Sequence, residues 1–140
     1  MIDKKNATIR LPENLIAWLT KGGKSINQAV IECTEYLRRI RQVSMGEIKG
    51  VFTPDEWKFL ADSLNGTMID DVFRCNVGAL IAHCDDADQY DFLGKKWHVD
   101  LDVLKQKISN LSGANIDAIY TRVEEFWADG SADIEAWAKF

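Results

Sequence analysis

The chain has 140 residues, 46% hydrophobic and 28% charged, with a formal net charge of −5 and three cysteines. That composition is ordinary for a globular protein and allows one domain or two small ones. No apolar run approaches ~18 residues, and the opening MIDKKNATIR has no apolar core, so neither a membrane span nor a secretory signal is expected.

The net charge hides an asymmetry. Residues 1–50 carry nine Lys/Arg against five Asp/Glu, net +4, and residues 51–140 carry eight against seventeen, net −9. A basic head on an acidic body suggests that the head alone meets a polyanion. The cysteines, Cys33, Cys75 and Cys84, are odd in number and lie in helical apolar patterns. Reduced thiols in a cytoplasm are the expected state.

Residues 6–11 alternate, with Ala7, Ile9 and Leu11 on one face and Asn6, Thr8 and Arg10 on the other, which predicts a strand. Pro12 suits the first position of a helix whose apolar stripe is Leu15, Ile16 and Leu19. Gly22-Gly23 stops it. Ser25 and Gln28 form a Ser-x-x-Gln capping box for a second helix, with Ile26, Val30, Cys33 and Leu37 on one face and Arg38, Arg39 and Arg41 at its end. Residues 44–52 hold two glycines and no clear period, and are expected to be a linker.

Thr53-Pro54-Asp55-Glu56 is a strong helix start, followed by Trp57, Leu60, Ala61 and Leu64. The apolar spacing from Ile69 to Cys84 predicts a helix over 68–84, then an acidic connection over 85–94. Asp100 caps a helix with Leu101, Leu104, Ile108 and Leu111. Another carries Ile116, Ile119, Tyr120, Val123, Phe126 and Trp127, and a short last one covers Ala132 to Lys139.

The strand ATIRL, the Leu11-Pro12 junction and the helix start Gly23-Lys24-Ser25-Ile26-Asn27 resemble the ribbon-helix-helix DNA-binding regulators of the Arc, MetJ and CopG type. The likeness covers about a quarter of the chain, Asn6 to Leu37. It implies a mainly α fold: one strand pairing across a dimer, then two helices, joined to a C-terminal all-helical bundle of about five helices. The expected organisation is a DNA-binding and dimerisation domain over 1–43, a linker over 44–52 and an acidic helical domain over 53–140.

Carried over residue by residue, the resemblance assigns base contacts to Asn6, Thr8 and Arg10. Those side chains suit adenine, the thymine edge or methyl, and guanine. It assigns phosphate contacts to Lys24 and the backbone of Ser25, Ile26 and Asn27, with Lys4 and Lys5 adding charge from the arm. The implied dimer core is Ala7, Ile9, Leu11, Leu15, Leu19, Ile26, Val30 and Leu37.

Other chemistries lack their signatures. Gly22-Gly23-Lys24-Ser25 ends like a phosphate-binding loop, but Trp18 stands where the first glycine belongs. Cys75, His83, Cys84 and His98 include no pair at zinc spacing suited to one helix face. The aspartates at 85, 86, 88 and 91 lack the glycine and closing glutamate of a calcium loop. No nucleophile–base grouping announces itself, so neither an enzyme nor a cofactor or metal is expected. Trp97 and Trp137 lie off the clear stripes and are candidate anchors for a protein partner.

The expected function is a cytoplasmic, bacterial or phage- or plasmid-encoded DNA-binding regulator, a repressor acting as a homodimer on double-stranded DNA. The alternative is an antitoxin or plasmid or phage accessory protein whose residues 53–140 hold a protein partner.

Overall fold

The computed structural model describes residues 5–6, 8–65 and 73–140. Among them are eight α-helices and no strand. The expected strand over residues 6–11 is therefore corrected: Asn6, Thr8, Ile9 and Arg10 are exposed and outside regular structure, and Ala7 lies outside the described residues. Alternation arranges side chains on two faces, but it supplies no backbone partner. A strand exists only where a neighbour completes its ladder, and no described segment does so. The expected ribbon gives way to an all-helical architecture among the described residues.

The chain divides into two units, residues 1–39 and 40–140. The first holds α1 (Glu13–Leu19) and most of α2 (Ile26–Ile48). Pro12 is the N-cap of α1, one position before the expected site. Gly22 and Gly23 turn the chain at φ of 86° and 83°, which favours glycine in both places. α1 buries none of its residues, and Ala29 is the single buried hydrophobic residue among the described residues of this unit.

The expected linker over 44–52 is also replaced. α2 continues to Ile48, and Ser44, Ile48 and Phe52 are buried in the second unit. Gly50, at φ 80°, makes the turn after it. The apolar side chains of residues 42–52 follow no regular helical spacing: Ile48 and Phe52 are buried, Met45 and Val51 pack against the core, and Val43 is exposed.

The second unit is built from α3 (Pro54–Ser63), α4 (Val77–Asp91), α5 (Leu93–Lys96), α6 (Leu101–Ser109), α7 (Gly113–Ala128) and α8 (Ile134–Trp137). Five helices of this unit start on side-chain caps, α3, α6 and α7 among them. Thr53 and Glu56 form the expected reciprocal box on α3, at 3.2 and 2.8 Å. Asp100 accepts the N–H groups of Asp102 and Val103 on α6. Ser112 and Asn115 form a second reciprocal box on α7. Such caps satisfy donors that the helix leaves open and help fix where it begins.

α4 differs from expectation. It starts at Val77, capped by Asn76, and runs to Asp91. The helix expected from residue 68 thus begins later among the described residues, and much of the acidic connection is helical. α4 lies against α6, while α3 touches α4, α5, α7 and α8. Their shared core holds Trp57, Phe59, Leu60, Leu80, Leu104, Ile108, Ile116 and Ile119, all fully buried.

Candidate nucleic-acid interface

The first unit presents polar and basic groups on an extended arm and at the start of α2. Lys5, Asn6, Thr8 and Arg10 are exposed, and Lys4 lies outside the described residues. Arg10 forms no ion pair among the described residues, so its guanidinium is open to an anion or a guanine edge.

At the head of α2, Ser25 Oγ accepts the Gln28 N–H at 3.1 Å. This is half of the expected capping box. Gln28 turns its amide to Glu32 instead, at 3.3 Å. The backbone N–H groups of Ile26 and Asn27 find no acceptor among the described residues, and they point along the positive end of the helix dipole. Lys24 reaches over to pair with Glu32. That hydrogen bond raises the lysine pKa and lowers the glutamate's. Lys24 is thereby held beside the helix start, with part of its charge already neutralised. A phosphate contact from it competes with Glu32.

The described residues of the expected dimer core are not buried within the chain, and Ala7 lies outside the described residues. Ile9, Leu15, Ile26 and Leu37 are exposed, at 62%, 38%, 41% and 42%, while Leu11, Leu19 and Val30 are half-buried. Sequence reasoning did not assign Trp18, Ile31 and Tyr36 to this group, yet each is more than 60% exposed. A shallow cavity of about 210 Å³ lies between α1 and α2, lined by Trp18, Leu19, Lys24, Ala29, Glu32 and Cys33.

Neither proposed anchor tryptophan is free. Trp97 is half-buried, donates from Nε1 to Asp62 at 2.9 Å and lies under the Lys96 ammonium. Trp137 packs on Phe126 and Trp57, with ring centroids 4.8 and 5.6 Å apart. The most exposed aromatics among the described residues of the second unit are instead Tyr90 and Phe92, at 71% and 67%. Phe92 adopts φ 53°, a left-handed conformation unfavourable for a bulky residue. The acidic run around them read as a connection, which concealed both.

His83 is tied through Nε2 to the Ser63 carbonyl at 2.7 Å. Among the described residues no three His, Cys, Asp or Glu side chains come together as metal ligands would, and no helix is long and apolar enough to cross a membrane.

Comparison of the chain with family models, with curated proteins and with solved structures returns no match.

Proposed function

We propose that the chain is a sequence-specific DNA-binding regulator of transcription, a repressor that acts as a homodimer through residues 1–39. The observation that carries the reading is a basic unit, in an otherwise acidic chain, many of whose described apolar side chains remain in solvent. Seven Lys/Arg stand against four Asp/Glu in residues 1–39, while Leu15, Trp18, Ile26, Ile31 and Leu37 are exposed. Apolar surface gathered on α1 and the first part of α2 favours association. A second copy doubles the positive charge on one assembly and raises its attraction for a polyanion. Asn6, Thr8 and Arg10 then supply base-reading groups, and the open N–H groups of Ile26 and Asn27 supply a phosphate seat.

Selection from a random duplex library, followed by fluorescence anisotropy on the selected site, tests this. Binding is expected to weaken steeply with salt. Arg10→Ala is expected to cost about 1–3 kcal/mol on the selected site and to erode sequence preference. The proposal fails if no duplex binds in a salt-sensitive way, or if Arg10→Ala reads the library as the parent does.

One feature favours a second reading, in which the helical body holds a protein partner as an antitoxin or accessory factor does. Tyr90 and Phe92 expose their rings at the end of α4, and the strained φ of Phe92 is of the kind retained at binding surfaces. Co-purification of a stoichiometric partner that is lost in Phe92→Ala distinguishes it.

A further inference from the structure

Three charged residues among the described residues of the second unit are buried. Glu56 is paired with Lys107, and Asp117 with Arg41 and Arg74. The third, Arg122, has no carboxylate partner among the described residues. Its guanidinium is stacked among the rings of Trp57, Trp137 and Phe140, with centroids 4.4, 4.2 and 4.0 Å away. Nη2 donates to the Trp137 carbonyl, and Nη1 is buried with no hydrogen-bond partner among the described residues. The indole N–H of Trp57, which packs on the same guanidinium, is likewise without a partner. Two orphaned donors in one cluster need an explanation, because each loses its hydration without replacement.

The cluster borders a cavity of about 380 Å³, lined by Arg122, Glu125, Phe126, Asp129, Trp137 and Phe140 among others. Positions 122, 125, 126 and 129 follow one face of α7 and its C-cap, so the helix itself sets a cation and two anions a turn apart. The volume is that of a small-molecule site, and the walls are aromatic. The lining carries one positive and two negative side chains. A phosphate dianion meets two carboxylates there. A simple cation meets an aromatic cage already filled by a guanidinium.

We infer that this cavity binds a small zwitterion with an apolar side chain, of the amino-acid class. Its carboxylate takes up the guanidinium of Arg122, its ammonium lies between Glu125 and Asp129, and its side chain lies against Phe126, Trp137 and Phe140. Asp129 keeps one carboxylate oxygen free, because the Ser131 N–H and hydroxyl both donate to Oδ1. The site lies wholly in the second unit and is independent of the DNA-binding proposal.

Titration calorimetry on the full chain tests it with L-leucine, L-phenylalanine and L-tryptophan, and with phenethylamine and 3-phenylpropanoate as analogues lacking one charge. At least one amino acid is expected to bind one-to-one. Each single-charge analogue is expected to bind about tenfold or more weakly than L-phenylalanine, since a charge-assisted contact is lost. Glu125→Gln, at an exposed position, is expected to weaken amino-acid binding about tenfold with an unchanged melting temperature. Arg122→Lys keeps the charge and loses the planar fork, and is expected to weaken binding as well. Silence from all three amino acids at millimolar concentration overturns the inference. So does 3-phenylpropanoate binding as tightly as L-phenylalanine, or Glu125→Gln leaving amino-acid affinity unchanged.

Discussion

Asp117 sits between two guanidinium groups. Arg41 donates to it from Nε at 2.9 Å and from Nη2 at 3.4 Å, and Arg74 from Nε at 2.9 Å. Arg74 also bonds Thr121 and Glu124. Burial alone would raise the carboxyl pKa, but the hydrogen bonds and charges of Arg41 and Arg74 outweigh it, and the net shift is downward from 3.8. A lowered folded-state pKa stabilises the fold above the unfolded value and is lost as pH falls through the folded one. Asp117→Asn leaves two partly buried arginines short of an anion, and is expected to lose about 3 kcal/mol at neutral pH. In urea denaturation across a pH series, the gap to the parent should narrow below pH 3.8, where the parent's own Asp117 takes up its proton. A gap that stays constant into acid would show that the charge is not what Asp117 contributes. Cys84 gives a second check at the same scale. Burial first, and then Asp85, push its thiol up to about 12, whereas Cys33 and Cys75 are exposed. Thiolate is the reacting form, so Ellman's reagent should label Cys33 and Cys75 in the native protein and reach Cys84 only after denaturation.

At the scale of elements, the helix starts carry testable weight. Thr53→Ala removes one half of the α3 box and is expected to cost about 1 kcal/mol in thermal or chemical unfolding. Glu56→Ala should cost more, because that side chain is buried and also holds Lys107 at 2.6 Å. Equal losses would mean that the Lys107 pair contributes nothing. These caps explain what could be read in advance. Thr53-Pro54-Asp55-Glu56 and Asp100 name their helices through local chemistry, and α3 and α6 begin where they indicate. Apolar spacing was a poorer guide to limits. From Ile69 to Cys84 it fits one long helix, yet α4 begins only at Val77, where Asn76 accepts the Ala79 N–H at 3.0 Å. Near Gly113 the constraint is tertiary: a Cβ there would stand 2.7 Å from the Cys75 carbonyl oxygen. Nothing near Gly113 in sequence announces that approach. The strand expected at 6–11 failed for a related reason, since side-chain alternation is local and pairing is not. Arg122 carried no signature either, because its neighbours Trp57, Trp137 and Phe140 are far from it along the chain.

Taken whole, the chain joins two units with opposite thermodynamic character. Residues 40–140 bury a continuous cluster from Ile48 to Ala138. Residues 1–39 bury Ala29 and leave Ile9, Trp18, Ile31 and Tyr36 more than 60% exposed. Backbone order in a segment must be supported by burial, because fixing each residue opposes folding by about 1–2 kcal/mol. Short isolated helices are marginal in water, and α1 has seven residues. The first unit should therefore open locally far more often than the second. If pairing with another copy supplies the missing burial, its stability depends on protein concentration in a way the second unit's does not. Hydrogen–deuterium exchange followed by mass spectrometry separates the two. Amides of α3, α4, α6 and α7 should show the same protection at nanomolar and high-micromolar protein. Amides of α1 and of residues 26–39 should exchange quickly when dilute, slow down as concentration rises, and slow further on adding the selected duplex. A Trp18→Ser variant, which removes a large exposed ring, should lose the concentration dependence and keep the protection of the second unit. Protection in residues 26–39 that is already high when dilute and indifferent to Trp18 would mean that the exposed apolar face needs no second copy.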